Sequence, residues 1–315
     1  LRRPRPRRPR QIVSARNAAV PAVKRVEVAA AVMVNSRGEF LLAQRPPGKV
    51  YAGYWEFPGG KVEPGESAAA ALKRELHEEL GVEVKTAYPW LTREFDYAHA
   101  AVTLRFFRVV EWHGELHGRE RQQFAWQSIG NINVSPILPA NGPILLGLEL
   151  PHHYGISCVA QIGRQAFMQK FESALAGGLR LVQVREKQLE ESALIELTRE
   201  LVAVAHRYDA RVLVNSAPQV ALAAGADGVH LSSAALMACQ RRPDVAWCGA
   251  SCHDAAELQQ ARALGVDFVV LGSVAQTLSH PGVQPLGWEK FSALIENYPL
   301  PVYALGGMTP ADLQP

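Results

Sequence analysis

Residues 59–82 read "GGKVEPGESAAAALKRELHEELGV" and place Glu75, Glu78 and Glu79 within a turn and a half of a helix. Spacings of three and four put side chains on one helix face, so these carboxylates repel one another unless a positive charge lies between them. Either a cation belongs there or the stretch is a solvated acidic face.

Outward from this helix, the segments "VEVAAAVMVN" from Val26 and "EFLLAQR" read as strands separated by the turn "SRGE". "AAVTLRFFRVVEW" follows as a further strand, and "ILPANGPILLGLEL" as a closing helix before Pro151. Strands flanking one acidic helix make an α+β domain over residues 25–150. From Tyr154 the rhythm changes to short apolar strands alternating with amphipathic helices such as 191–206 and 254–264. The strands are "YGISCV", "LRLVQVRE", "RVLVNS", "DGVHL", "AWCGASC", "FVVLGS" and "PVYALGG". This alternation predicts parallel strands with crossover helices over residues 151–315, a (β/α)8-type barrel domain with its last strand and helix lacking.

At 315 residues, 48% hydrophobic and 20% charged, the chain has the composition of two ordinary globular domains. No apolar run is long enough to span a bilayer and no secretory leader is seen, so a soluble, cytoplasmic protein with no membrane partner is expected. The four cysteines, Cys158, Cys239, Cys248 and Cys252, lack zinc-type spacing and read as free thiols. The net charge of +3 rests on the six arginines of "LRRPRPRRPR". That tract, proline-interrupted and without apolar surface, is expected to be a disordered tail over residues 1–24, outside the folded unit and derived from an early translation start. Nucleic acid is not an expected partner.

Gly60, Glu66 and the run Arg74-Glu75-Leu76-His77-Glu78-Glu79-Leu80-Gly81-Val82 match every fixed position of GX5EX7REUXEEXGU, with U apolar. The segment thus resembles the Nudix box. Physically, the Gly/Pro loop lets backbone approach a polyphosphate, while the helical carboxylates suit Mg2+, with Mn2+ as a substitute. By resemblance, Glu75, Glu78 and Glu79 are metal ligands, the Gly59 carbonyl is another, Arg74 orients the glutamates and Glu66 supports loop and helix. His77 occupies a variable position and reads as a surface residue.

Around the box the resemblance narrows to the MutT-type branch, which hydrolyses oxidised purine nucleoside triphosphates: "YWEFPGGKVEPGE" is similar to its loop and "LPANGP" to its base-reading segment. Carried over, Asn141 contacts the purine edge, Phe57 packs on it, and Arg45 and Lys61 bind substrate. Glu120, in "HGRERQQFAW", matches the branch's additional metal ligand or general base. An asparagine suits 8-oxoguanine, whose N7 is a donor, because its amide offers an acceptor and a donor. The competing reading of Asn141 is a helix cap or turn residue between Pro139 and Pro143.

"LVQVREK", "LVNS", "GADGVHLSS", "GASCH", "VLGSVAQTLSHPG" and "YALGGM" resemble, in order, the strand ends of thiamine phosphate synthase and its TenI-like relatives. The resemblance implies a barrel site at the C-terminal strand ends, with Gln183, Arg185, Lys187, Asn215, Thr277, Ser279, Gly306 and Gly307 facing a phosphorylated thiazole or thiamine phosphate. Departures are concentrated at the metal: Ser216 stands where the synthase has aspartate, Ser232-Ser233-Ala234-Ala235 replaces "GQED", and His280 replaces a lysine. Synthase activity is therefore not expected. The resulting expectation is a Mg2+-dependent hydrolase of a nucleotide substrate, converting 8-oxo-dGTP to its monophosphate and pyrophosphate. The alternatives are a hydrolase of a thiamine-pathway diphosphate, or a hydrolase regulated by a ligand-binding barrel.

Overall fold

The computed structural model describes residues 25–118, 123–277, 284–309 and 312. In the first half, β1 (Val26–Met33) lies at the centre of a four-stranded sheet. It pairs antiparallel with β4 (Gly59–Lys61) and parallel with β6 (Ala101–His113), which pairs antiparallel with β5 (Glu83–Asp96). A second sheet is formed by β2 (Phe40–Gln44) between β3 (Trp55–Glu56) and β7 (Phe124–Gln127). The alternation of β1 builds two cores. Ala29, Ala31 and Met33 pack under Leu72, Leu76 and Leu80 of α1 (Ala68–Leu80), whereas Ala30 and Val32 meet Phe40, Trp55, Phe57 and Ile144.

Helix α1 starts where the Ser67 hydroxyl accepts from the Ala70 N–H, and it stops at Gly81 in left-handed conformation. The closing helix is shorter than the sequence suggests. A 3-10 turn, Pro139–Asn141, leads into α2 (Gly142–Leu148), because prolines at 139 and 143 supply no N–H and admit only first-turn positions. Strand β5 was not among the expected strands: Pro89 and its charged residues interrupt the alternation, and the ladder to β6 carries three register shifts.

The second half is one parallel sheet of seven strands: β8 (Gly155–Ile156), β9 (Leu181–Val184), β10 (Arg211–Val214), β11 (Gly228–Leu231), β12 (Trp247–Cys252), β13 (Phe268–Gly272) and β14 (Val302–Leu305). They pair strictly in chain order and, among the described residues, β8 and β14 remain edges, giving the open barrel-type arrangement that the sequence predicts. The connections carry α3 (Val159–Ile162), α4 (Arg164–Ala176), α5 (Glu191–Ala205), α6 (Pro218–Ala224), α7 (Ser233–Ala238), α8 (Ala255–Leu264) and α9 (Trp288–Ile295). Val182, Val184, Val212, Val214, Val229, Cys248, Ala250 and Cys252 face these helices. The inward set is Leu181, Leu213, Trp247, Phe268 and Tyr303 near the strand starts, joined by Leu150. No described helix is long and apolar enough to cross a membrane.

The two halves meet at the starting ends of the barrel strands. Thr92 N–H in β5 donates to the Tyr298 carbonyl at 3.2 Å, and Arg93 Nη1 to that of Pro299 at 3.0 Å. Arg105 Nη1 reaches Asn297 Oδ1 at 2.5 Å, and Arg262 pairs with Glu94 at 3.4 Å.

Candidate active site

The acidic helix is organised by Arg74. Its guanidinium holds Glu66 through Nε (3.1 Å) and Nη2 (3.0 Å), and it donates to Glu75 at 2.9 Å, Glu78 at 3.2 Å and the Lys61 carbonyl at 3.0 Å. Glu66 Oε2 also accepts from the Glu63 N–H at 3.1 Å, so a single arginine ties the loop to the helix. Glu78 and Glu79 are consecutive and about 100° apart on the helix. They therefore flank Glu75 on opposite sides and do not converge as one triad. Glu78 is half exposed, whereas Glu79 is buried, and His77 is exposed.

Strand β4 needs its glycines. Gly59 has φ +144°, and a Cβ there would lie 2.1 Å from the Ala29 carbonyl oxygen; at Gly60 it would strike the Glu75 carboxylate. Gly59 N–H donates to Glu79 Oε2 at 3.3 Å. Burial first, and then the negative charge of Glu75, pushes the Glu79 carboxyl up from 4.5 to about 7. Among the described residues no three His, Cys, Asp or Glu side chains are grouped closely enough to share one ion. The donor set nevertheless suits a hard divalent cation: two carboxylates face each other with mutual repulsion, beside a backbone that approaches without a side chain. Glu120 lies outside the described residues.

Asn141 is 5% exposed, and its Nδ2 has no hydrogen-bond partner. It ends the 3-10 turn and stands at the N-cap position of α2, as the turn alternative expects, although its side chain makes no capping bond. Arg45 pairs with Glu56 at 2.5 Å and donates from Nε to the Val50 carbonyl. Lys61 is exposed at the loop. Phe57 departs from expectation: its ring is 3% exposed, wedged between Phe40 and Phe106 with centroids 5.9 and 5.8 Å away, so it supports the loop from the core and presents no free face to a base. Not foreseen are Glu56, raised by burial despite Arg45, and Tyr97, whose hydroxyl lies by the Ala140 backbone and is pushed up to about 12 by burial. Tyr97 packs on Tyr51, Phe95 and His99. The "WEF" and "DYAH" segments carry the signal, aromatic and acidic residues clustered at loop positions.

In the barrel, alternation brings polar side chains inward towards the strand ends. Gln183 is buried and hydrogen-bonds Tyr154; Asn215 Nδ2 donates to the His230 carbonyl at 3.0 Å. Arg185 is half buried and its charge acts on His230, while Lys187 is exposed. His230, 1% exposed, lies between the Tyr154 hydroxyl (3.2 Å) and Ser251 Oγ (2.9 Å), and burial holds its imidazole down at about 3, hence neutral. The sequence reading missed it, although a histidine inside the apolar run "GVHL" is itself a signal. Glu186, also missed, accepts from Ser157 Oγ and from the Val159 and Ala160 N–H groups.

Thr277 Oγ1 is buried without a partner. Gly306 and Gly307, at φ +103° and +68°, press against Ser273, Ala275 and Gln276. Ser279 and His280 lie outside the described residues. Ser232 caps α7, and Ser233 Oγ bonds Glu257, whose other oxygen accepts from the His253 ring and backbone N–H.

The NUDIX domain family matches residues 24–145, and the thiamine monophosphate synthase (TMP-TENI) family matches residues 153–315, more than half of the chain. The chain is a Nudix–TenI fusion. Its Nudix half is a hydrolase domain: it is 40% identical over 123 residues to CTP pyrophosphohydrolase of Escherichia coli, covering 39% of this chain and 90% of that protein. It is 38% identical over 122 residues to 8-oxo-dGTP diphosphatase of Haemophilus influenzae, again 39% and 90%. The TenI half is similar to thiamine phosphate pyrophosphorylase from Pyrococcus furiosus, at 27% identity and TM-score 0.42, with 50% of this chain and 75% of that one covered.

The raised Glu79 in the Nudix half has a measurable consequence for stability. Its folded-state pKa lies above that of the unfolded chain, so its stabilising contribution is complete below the unfolded value and is lost as pH rises through about 7. Metal-free fusion protein is expected to lose up to about 3 kcal/mol from this group between about pH 5 and about pH 8, and Glu79→Gln to remove that share. Urea midpoints of both proteins in chelator at the two pH values check this; identical pH slopes would show that Glu79 titrates normally.

Proposed function

We propose that the Nudix half hydrolyses 8-oxo-dGTP to 8-oxo-dGMP and pyrophosphate. The observation that carries this is the buried Asn141 amide with an unpartnered Nδ2. Leaving such a group unsatisfied costs about 1–3 kcal/mol, a cost that a matching ligand removes. The N7–H of 8-oxoguanine donates to an amide oxygen while a carbonyl on the base accepts from the NH2; guanine presents a bare N7 acceptor and cannot satisfy the same pair.

In this reading Glu75, Glu78 and Glu79 serve the phosphate end, and the resemblance adds Glu120 to them as a further carboxylate. These carboxylates would hold a divalent cation, Mg2+ or Mn2+, which when bound would supply charge neutralisation at the polyphosphate and Lewis acidity for hydrolysis. This chain's own residues do the rest. Arg74 fixes Glu75 and Glu78 against Glu66, the Gly59–Gly60 backbone keeps the approach to phosphate open, and Lys61 and Arg45 offer positive charge to the phosphoryl oxygens. Hydrolysis breaks a P–O bond of the triphosphate bridge: water adds to phosphorus and pyrophosphate leaves.

Asn141→Ala is expected to lower kcat/KM for 8-oxo-dGTP more than for dGTP, by roughly 1–3 kcal/mol of lost discrimination. Equal losses on both nucleotides would reject the base-reading role. Including CTP in the same screen, with monophosphate and pyrophosphate measured separately, tests the substrate named for the Escherichia coli relative. Delivery of a thiamine-pathway diphosphate from the barrel finds less support. The hydrolase contacts the starting ends of the strands, whereas Gln183, Asn215 and Thr277 lie towards or beyond the finishing ends.

A further inference from the structure

Helix α2 belongs to both halves of the protein. Its first end carries Asn141 and is tied to β3 by backbone bonds from Asn141 N–H to Leu138 O (3.0 Å) and from Leu138 N–H to Trp55 O (2.9 Å). Its far end, about 10 Å away at 1.5 Å per residue, enters the barrel. There Arg211 donates to the Glu149 carbonyl at 3.1 Å, pairs with the Glu149 carboxylate at 3.6 Å and stacks 4.4 Å over Trp247. Leu150 is buried in the barrel's inward cluster, and Tyr303 Oη donates to the Pro151 carbonyl at 2.5 Å. Between the two ends, Gly147 is clamped: a Cβ there would lie 3.2 Å from the Trp90 ring of the hydrolase and 3.3 Å from Pro301 of the barrel.

We infer that the barrel positions the base-reading amide through α2, making Gly147 and Arg211 positioning residues for nucleotide selection. A short helix is stiff along its axis, and Ile144 at 0% exposure holds its middle in the hydrolase core. Rotation or retreat of its barrel end is therefore delivered to Asn141. The carboxylates of α1 make none of these contacts, which reach the hydrolase through β3 and Trp90. Loosening the barrel contact thus alters which base is accepted and leaves the hydrolytic step alone. The inference rests on the assignment of Asn141 as base reader.

The test uses the full-length chain. Arg211→Ala removes the ion pair and the stacking, and Gly147→Leu pushes Trp90 and Pro301 apart while improving intrinsic helix propensity, so helix loss is not its effect. Each is expected to lower the ratio of kcat/KM for 8-oxo-dGTP over dGTP about fivefold, with kcat for dGTP held within about twofold, because only the position of the amide changes. In an Asn141→Ala background neither should lower the ratio further. An unchanged ratio in Arg211→Ala, when Asn141→Ala alone lowers it, overturns the inference and leaves the base-reading assignment standing. An equal drop with and without Asn141 overturns it too. If Asn141→Ala itself leaves the ratio unchanged, the base-reading assignment fails and takes this inference with it. Should Gly147→Leu not fold, the partly exposed Arg211 carries the test.

Discussion

Glu79→Gln is expected to lower kcat by roughly two orders of magnitude while the fold stays intact, because a charge meant for a cation is lost and the shape is kept. Glutamine preserves the acceptor that Gly59 N–H uses. It also removes a carboxylate that is costly to ionise at its site, so the metal-free variant gains stability at neutral pH. Glu78→Gln should cost less. Glu78 is half exposed and its contacts run to Arg74, whereas Glu79 is buried one helical turn from Glu75 and accepts from the Gly59 N–H. Steady-state kinetics at saturating Mg2+ rank the two. Activity of Glu79→Gln within about threefold of the parent would remove the metal assignment from this face of the helix.

The second large effect is an absence: the full chain is expected to form no thiamine phosphate from its two phosphorylated precursors, yet to bind a phosphorylated thiazole or thiamine phosphate. Stabilising a departing pyrophosphate calls for carboxylates to hold the metal. At the strand ends where the synthase places them stand Ser216, a Ser232 occupied in capping α7, and a Ser233 bonded to Glu257. Glu257 reaches this loop, and its bonds go to His253 and Ser233. Phosphate recognition makes smaller demands. Arg185 and Lys187 keep their charge, Thr277 has a buried hydroxyl without a partner, and Gly306 and Gly307 bring backbone close. Calorimetry with thiamine phosphate, beside a fluorescence assay for product, separates the two properties. Magnesium-dependent synthesis would overturn the reading, and loss of both properties would leave a scaffold.

What the sequence made legible follows from how local each signal is. The acidic helix, its cap at Ser67 and its stop at Gly81 are written within one contiguous stretch. The seven parallel strands announce themselves because both faces are covered, so each is a short apolar run. β5 did not, since an edge strand with Pro89 and alternating charges resembles a loop when read alone. At the site, residue types were readable and directions were not. Phe57 looked available for a base, but Phe40 and Phe106, 17 and 49 positions away in the chain, claim its ring. Which of the diverging carboxylates Arg74 holds likewise depends on distant groups, since its guanidinium is fixed by Glu66 and the Lys61 carbonyl as well as by Glu78.

The contact between β5 and the segment 297–301 bears on any attempt to divide the protein. β5 is the outermost strand of its sheet, and an uncovered edge offers unpaired amides and carbonyls to any other chain. Pro89 blunts part of that edge, and the rest, from Trp90 to Glu94, is met by Tyr298, Pro299, Pro301 and Arg262. Cutting the chain near Pro151 would strip this shield and bare the Trp90 indole, leaving a hydrolase fragment prone to edge-to-edge aggregation. A usable single-domain version would need lysines on the outward side of β5 to replace by charge the protection that the barrel gives by coverage.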